Sequence, residues 1–395
     1  MRFFALLPLL ALAHAAAIPP CSLNGELVGG VCACDPGWSG AACSVLDLLP
    51  AAPFAQQTHY FPSNAATGDA VSNSWGISVA RDDNGTLWHG FMTEMKGHCT
   101  LASWTSASHI LHVTAPQPYG PWTVQGVALD KFAHNPQITR DKDGAWLLFH
   151  IGSLEPPGCE AEACPGPHSP QCTGAQGTSV ARASSPWGPW ERVPFVLPDN
   201  ETNPSALLLR DGTLAVTARR WEGGVPTYTA RDWRGPYVAA PRAEVVLVRA
   251  GAPAQDAYAP FDEDPYLWQD ARGGLHALTH RQPNGTHCPT GANPSDCDCA
   301  GGHMYAQALT GPWYVDLDVV YNCTLRVAGG GGGGGGSQAV QLSARQRPTL
   351  LLPARNGGQP ACPVLFTGAS NAATQYAGSF TMAQGVDCGS GRRGA

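Results

Sequence analysis

A two-strand unit recurs five times along the chain, and the regularity of this repeat restricts the folds open to it. Each copy has a lead residue, usually polar and followed by proline, then a short apolar strand, a tight turn with glycine, and a second strand. The offset from lead to turn glycine is nine or ten residues in every copy. The leads are Trp75, Asn135, Asn203, Asp264 and Arg347. Together with 47 glycines and 35 prolines, the repeat predicts an all-β chain.

A second signal follows most of these units. A Gly-Pro-aromatic triplet lies downstream of four of them and predicts a turn followed by an edge strand. The triplets begin at Gly120, Gly188, Gly235 and Gly311. Successive leads are roughly 60 to 80 residues apart, which is enough for the four strands of one propeller blade. We therefore predict a five-bladed β-propeller, because the alternative, a two-sheet sandwich, explains neither signal.

The last unit lacks a Gly-Pro-aromatic triplet downstream. We expect an N-terminal strand within residues 51–62 to complete this fifth blade and close the ring.

The N-terminus has the pattern of a secretory signal peptide, which we assign to residues 1–17. Arg2 precedes an apolar run at residues 3–13, and small residues suited to cleavage follow. The run is too short to span a bilayer, and no later segment is long and apolar enough. Fourteen cysteines indicate an oxidising compartment, so we predict a secreted protein. Asn-x-Ser/Thr glycosylation sequons stand at Asn84, Asn200, Asn284 and Asn322.

The net charge of −7 bears on the choice of partner. No basic stripe is available to neutralise phosphates, which argues against a nucleic-acid partner.

The first cysteines form a compact group. Cys32 and Cys34 make a Cys-x-Cys pair, followed by a Gly-Trp-x-Gly motif and a final Cys43. This segment resembles the C-terminal half of an EGF-like domain. The resemblance implies the disulfides Cys21–Cys32 and Cys34–Cys43 in a shortened module, which needs them because it cannot bury enough apolar surface. The calcium motif of such domains is absent, so the resemblance implies a structural or adhesive spacer without metal.

The remaining cysteines allow two interpretations. The spacings match no zinc pattern, so disulfides are favoured over metal clusters. Cys362 and Cys388 are predicted to close the last blade, and the other connectivities stay open. Two insertions carry six of the others: Cys159, Cys164 and Cys172 in the first, and Cys288, Cys297 and Cys299 in the second.

The chain from residue 44 onward combines Asn/Asp-Pro leads, Asp-Gly turns, Gly-Pro-Trp strands and the phrase Arg345-Gln346-Arg347-Pro348. It resembles the five-bladed β-propeller glycoside hydrolases of families 43 and 32. The resemblance implies, for family 43, a general-base Asp in blade one, an orienting Asp in blade two and a general-acid Glu in blade three. Here those positions hold Ser74-Trp75, Asn135 and Asn203, and asparagine cannot transfer a proton near neutral pH.

Polar residues at the start of the innermost strands should converge on one end of the central channel. The remaining carboxylates there are Glu263 and Asp264, with Glu94 as a third, and these are the catalytic candidates. Neighbouring strand residues point to opposite faces, so a packing or ion-pairing role for one of the pair is the alternative. The predicted substrate-binding residues are Trp75, His134, Asn135, Asn203, His280 and Arg347.

Structural roles compete with some of these assignments. Trp75 and Trp221 are interpreted either as sugar-stacking platforms or as blade-packing residues. His134, His150 and His280 lie on different blades without an acidic motif nearby, so hydrogen-bonded structural roles are favoured over a metal site. No cofactor is expected.

We therefore expect three parts: a signal peptide (1–17), a truncated EGF-like module (18–43) and a five-bladed propeller (44–395). The predicted function is that of a secreted, carbohydrate-acting protein, resembling a glycoside hydrolase with an unusual carboxylate set. The alternative is a non-catalytic propeller that binds glycans or mediates adhesion.

Overall fold

A computed structural model gives the architecture of the chain. It describes residues 17–53, 73–96, 99–130, 132–152, 176–194, 196–198, 201–220, 225–249, 251–253, 261–282, 300–328, 337–352, 362–370 and 378–389. The signal-peptide prediction falls almost entirely outside these residues, as do Asn200, Asn284, Trp221 and the cysteines of both insertions.

The chain begins with a small module of short strands and then forms five sheets arranged as the blades of a propeller. A 3₁₀ turn (Pro20–Leu23) precedes β1 (Gly25–Val28), β2 (Val31–Cys34), β3 (Trp38–Ser39) and β4 (Val45–Leu46). Blade one contains β5 (Asn73–Arg81), β6 (Trp88–Met95), β7 (Ser108–Ala115) and β8 (Thr123–Leu129). Blade two contains β9 (His134–Arg140), β10 (Trp146–Ile151), β11 (Thr178–Ala183) and β12 (Glu191–Val193). Blade three contains β13 (Glu201–Leu208), β14 (Leu214–Arg220), β15 (Thr227–Ala230) and β16 (Val238–Ala239).

Blade four is extended by two extra strands at its outer edge. Its members are β17 (Val245–Arg249), β18 (Ala252–Pro253), β19 (Phe261–Gln269), β20 (Leu275–Gln282), β21 (Ala300–Ala306) and β22 (Trp313–Asp316). A separate hairpin follows, made of β23 (Thr324–Ala328) and β24 (Ser337–Gln341). Blade five contains β25 (Ala344–Leu351), β26 (Val364–Ser370) and β27 (Ser379–Gly385). The prediction of a five-bladed all-β propeller is confirmed.

The helices of the described residues are short. They are the 3₁₀ turns at Pro20–Leu23 and Leu101–Ser103 and the single-turn α1 (Trp104–Ala107), and none has the length or apolar character to cross a bilayer.

Hydrophobic clusters between adjacent blades hold the ring together. One cluster joins Leu147 and Phe149 of blade two to Val216 and Ala218 of blade three, and all four are fully buried. Such clusters arise because the alternate residues of each strand face opposite neighbours. Burial of both sheet faces explains the apolar strands of the repeat.

The ring closes through the segment that leaves the N-terminal module. Leu48 bridges to Val386, and the Leu49 amide donates to the Gly385 carbonyl at 2.9 Å, so this segment lies along β27. The closing segment was expected within residues 51–62, of which 54–62 lie outside the described residues, and the structure has residues 47–49 along β27 instead. By Ala51 the chain has already moved to Val327 in the β23–β24 hairpin.

The N-terminal module contains the two predicted disulfides, Cys21–Cys32 and Cys34–Cys43, and a third, Cys362–Cys388, ties the end of blade five. Cys99 and Cys323 are also disulfide-bonded. No cysteine in the described part of the chain is free.

The module packs directly against blade four through a buried polar network. The Ser22 hydroxyl donates to Asp316 Oδ1 at 3.2 Å, and His303 Nδ1 lies 2.9 Å from Asp316 Oδ2. Trp38 stacks on Trp268, with ring centroids 6.5 Å apart. This docking delivers the chain to the boundary of blades four and five, which explains why an early segment closes the ring.

Candidate functional site

The five innermost strands share one backbone feature near their first residues. One residue in each adopts the left-handed conformation, with φ values of +50° to +71°, and the strand pairing shifts register there. Asparagine and aspartate tolerate this conformation better than most residues, and the proline that follows in four blades cannot donate to the ladder. The five residues are Gly76, Asn135, Asn203, Asp264 and Arg347. Blade one therefore contributes Gly76 to this ring, and its predicted lead, Trp75, is the residue before.

Arg347, on blade five, contacts each of the other four blades from this position. Its Nη2 donates to the carbonyls of Asn135 (2.9 Å) and Pro204 (3.3 Å), in blades two and three. Its Nη1 donates to Asp264 Oδ1 in blade four at 3.4 Å, and its backbone amide donates to Oδ2. A Cβ on Gly76 of blade one would stand 2.6 Å from Arg347 Cγ, so glycine leaves room for this side chain.

Asn135 and Asn203 complete a polar plug across the propeller axis, which we define as Asn135, Asn203, Asp264 and Arg347. Asn135 Nδ2 donates to Asn203 Oδ1 at 2.9 Å, and all four residues are buried. Burial and then the neighbouring Glu263 raise the pKa of Asp264, whereas Arg347 acts in the opposite direction. Burial lowers the pKa of Arg347, and the Asp264 charge opposes this.

Glu263 precedes Asp264 and lies at the boundary of blades three and four. Arg219 Nε, at the end of β14, is 3.0 Å from Glu263 Oε2, and His280 Nδ1 is 3.6 Å from Oε1. A guanidinium at this distance stabilises negative charge on the carboxylate. The register explains the arrangement, since Glu263 pairs with His280 across β19 and β20.

These residues are also the candidate ligands for a metal ion. Glu263, Asp264 and His280 each offer one ligand atom, and the three atoms lie within 4.8 Å of one another. The two carboxylates, however, already face the guanidinium groups of Arg219 and Arg347, which supply positive charge at the same place.

Glu94 lies on β6 of blade one, opposite Ser74 of the innermost strand. His109 Nε2 is 2.7 Å from Glu94 Oε2, and both side chains are largely buried. The Ser74 hydroxyl accepts a hydrogen bond from the Thr381 backbone amide of blade five. Glu94 therefore lies on the side of blade one that faces blade five, across the ring from Glu263.

Sequence reasoning missed one further carboxylate at this end of the ring. Glu201, two residues before Asn203, is buried and pairs with Arg220 Nε at 2.8 Å. Its Oε2 has no hydrogen-bond partner among the described residues. A partial signal was present, because Glu201 lies ten residues before Asp211 and Arg220 eight residues after Gly212, close to the positions of a cross-strand pair, and the structure pairs them.

Trp75 and His134 are enclosed by protein. Trp75 belongs to a hydrophobic cluster with Met95, Leu101 and Ala344, between blades one and five. His134 Nδ1 lies 2.9 Å from the Ser108 hydroxyl, and burial together with the charge of Arg347 lowers the pKa of His134 to about 3.

Three comparisons place this geometry among known proteins. Residues 18–46 match the family model described as a Teneurin-like EGF domain. No curated protein sequence matches the chain. Among solved structures, the family 117 glycoside hydrolase Zg3597 from the marine bacterium Zobellia galactanivorans is similar over 87% of this chain and 91% of its own, at 15% identity and a TM-score of 0.50. A putative exo-β-1,3-galactanase from Bifidobacterium bifidum is similar over 87% and 95%, at 11% identity and a TM-score of 0.49.

At such identity the similarity to Zg3597 concerns the fold. The N-terminal disulfides agree with the family model in the same residues. The chain carries an EGF-like module followed by a five-bladed β-propeller with the same fold as the family 117 glycoside hydrolase Zg3597.

Proposed function

We propose that this propeller acts on carbohydrate and that Glu263 is its principal catalytic carboxylate. The observation that supports this is the difference between two adjacent acids. Asp264 is committed to the plug by Arg347, whereas Glu263 stands outside the plug, with an ionic partner in Arg219 and a histidine beside it.

Hydrolysis of a glycosidic bond needs one carboxylate to activate water or attack the sugar and one group to protonate the leaving oxygen. We assign the first role to Glu263, because Arg219 stabilises its ionised form. We assign the proton donor to Glu94, whose contact with His109 provides a route for proton exchange. Asp264 then acts on the reaction only through the plug.

A second candidate function is glycan binding without cleavage. It is favoured by Asn135 and Asn203, which stand where the resembling hydrolases have acids and which hydrogen-bond to each other. Neither amide can transfer a proton near neutral pH.

The substitution Glu263→Gln separates these candidates. It keeps the size of the side chain and removes its charge, so we expect release of reducing sugar from a polysaccharide panel to fall by at least about 100-fold. Glu191→Gln, at an exposed position of blade two, is the matched control and should leave the rate unchanged.

If Glu263→Gln keeps the wild-type rate, the catalytic assignment is wrong. If the wild type cleaves no polysaccharide of the panel but binds glycans on a glycan array, glycan binding replaces hydrolysis as the proposed function.

The EGF-like module and the disulfides fit an extracellular protein. We infer that the chain is secreted and glycosylated at Asn84 and Asn322, which are exposed in the described part of the chain. Protein secreted by a eukaryotic host is expected to lose one glycan mass in Asn84→Gln and one in Asn322→Gln, measured by intact-mass spectrometry. Identical masses in wild type and both variants would refute glycosylation at these residues.

A further inference from the structure

Two buried histidines of blade four lie directly beneath the EGF-like module. His276 on β20 and His303 on β21 are fully buried, and the centroids of their rings are 5.3 Å apart. The ring of Trp38, from the module, lies 5.1 Å from that of His303 and also stacks on Trp268. Trp268 stacks in turn on His276, at 4.9 Å between centroids. The module therefore helps to keep solvent from both histidines.

The hydrogen bonds around His303 determine its protonation when the module is docked. Its Nδ1 lies 2.9 Å from Asp316 Oδ2, a carboxylate oxygen that accepts, so Nδ1 carries a proton. Its Nε2 lies 3.5 Å from Asn24 Nδ2 of the module, and the same Nδ2 donates to the Cys43 carbonyl at 3.2 Å. An amide nitrogen only donates, so His303 Nε2 must accept and carries no proton. Docking of Asn24 therefore selects the neutral form of His303.

His276 extends this chain of hydrogen bonds. Its Nδ1 lies 3.1 Å from His303 Nε2 and donates to it, and its Nε2 lies 3.4 Å from Asp270 Oδ2. Burial lowers the pKa of His276 to about 4, although the Asp270 carboxylate acts in the opposite direction. Both rings are therefore neutral near neutral pH while the module is docked.

Charged groups from the module and from blade four surround the histidine pair. Asp270 and Asp316 attract a proton to it, whereas Arg272 repels one. Arg272 also forms an ion pair with Asp35 of the module. Burial raises the pKa of Tyr305, which stacks on one of the rings, so its hydroxyl stays uncharged. The two carboxylates in contact with the rings favour a charged histidine, but burial of the pair is the larger effect.

Release of the module changes the proton affinity of this pair. A histidine in water has a pKa of about 6.5, so the released pair takes up a proton in mildly acidic solution. The docked pair does not, since burial lowers the pKa of His276 and Asn24 opposes a proton on His303 Nε2. Proton uptake therefore favours the released state, and one proton weakens the docking equilibrium about tenfold between pH 7.5 and 5.5.

We propose that the His276–His303 pair makes the docking of the EGF-like module sensitive to pH, so that mildly acidic solution releases the module from blade four. Asn24 links protonation to release, because its Nδ2 can approach His303 Nε2 only while that atom carries no proton. Release also loosens the ring, because residues 47–49, which lie along β27, directly follow the module. This pH dependence does not require the proposed carbohydrate function.

Amide hydrogen exchange of the full-length protein at pH 7.5 and 5.5 tests this proposal. The Leu46 amide reports on docking, because it donates to the Val320 carbonyl beyond β22 at 3.3 Å. After correction for the intrinsic exchange rate, the protection factor of Leu46 is expected to fall about tenfold from pH 7.5 to 5.5. The Val216 amide, in the buried centre of blade three, reports on global unfolding and should stay better protected than Leu46 at both pH values.

Three variants identify the groups responsible. The double variant His276→Phe/His303→Asn cannot be protonated at these positions, so the protection factor of Leu46 should change less than about twofold between the two pH values. Asn24→Asp places an acceptor beside His303 Nε2 and favours its protonated form, so protection should rise as the pH falls. His112→Phe removes a buried histidine of blade one and should keep the tenfold fall.

A protection factor of Leu46 that is unchanged or higher at pH 5.5 in the wild type would overturn the proposal. Equal protection of Leu46 and Val216 at both pH values would also overturn it, since the module would then leave only when the whole ring unfolds. A wild-type pH dependence in Asn24→Asp would refute the role of its contact with His303. If the double variant fails to fold, the wild type and Asn24→Asp still decide the question.

Discussion

Replacing Arg347 with methionine is expected to lower the free energy of unfolding by about 3–5 kcal/mol. The guanidinium bonds to the carbonyls of Asn135 and Pro204 and to Asp264, and the variant leaves all three acceptors without it. Asp264 would keep a buried carboxylate whose cation is gone, which accounts for most of the loss. Urea unfolding followed by tryptophan fluorescence, with disulfides intact, measures the change.

A control variant and a double variant test whether the loss of stability comes from the plug. Arg326→Met, at an exposed position of β23, should change stability by no more than about 0.5 kcal/mol. The double variant Arg347→Met/Asp264→Leu should recover part of the loss, because it also removes the unpaired acid. A single variant as stable as the wild type would show that the plug does not hold the ring.

Lowering the pH from 7 to 4 is expected to destabilise the folded protein steeply. His112, His134 and His150 are buried, and burial lowers their pKa values to about 4, 3 and 3. In the unfolded chain each histidine has a pKa of about 6.5. Below that pH the unfolded state binds protons that the folded state does not bind. The free energy of unfolding therefore decreases as the pH falls from about 6.5 towards 4.

Once its unfolded form is protonated, each of these histidines lowers the free energy of unfolding by about 1.4 kcal/mol for each pH unit of acidification. The three together lower it by about 4 kcal/mol per pH unit. Asp264 acts in the opposite direction, because burial and the neighbouring Glu263 raise its pKa and the folded state takes up that proton at a higher pH than the unfolded state does. Urea unfolding at pH 7, 6 and 5 gives the slope of the free energy of unfolding against pH. His112→Phe removes one titrating group and should reduce this slope by about 1.4 kcal/mol per pH unit. A wild-type free energy of unfolding that does not change with pH would contradict the prediction.

Much of the architecture was predictable from local chemistry. The Asn-Pro and Asp-Pro leads mark positions where a left-handed residue precedes a residue without an N–H, and the structure has a register shift at each. Because those signals recur at blade-length intervals, the number of blades followed. The disulfides Cys21–Cys32 and Cys34–Cys43 followed from the resemblance of this segment to an EGF-like domain, and the structure has both.

The site was less predictable because side-chain partners come from different blades. Trp75 was the lead of blade one, but Gly76 occupies the axial position since Arg347, 271 residues later, passes over it. Likewise, the sequence ranked Glu263 and Asp264 together. Only the approach of Arg219 to one and Arg347 to the other distinguishes them.

The sequence by itself determined the elements that depend on neighbouring residues: the two-strand repeat, its turns, the left-handed leads and the small disulfide module. The tertiary structure decided everything that depends on contact between distant blades. It selected Arg347 as the centre of the axial plug, docked the EGF-like module on blade four, and buried His276 and His303 beneath that module. Local backbone preferences act over a few residues, whereas burial and ion pairing depend on which strands meet, and that is settled only when the ring closes.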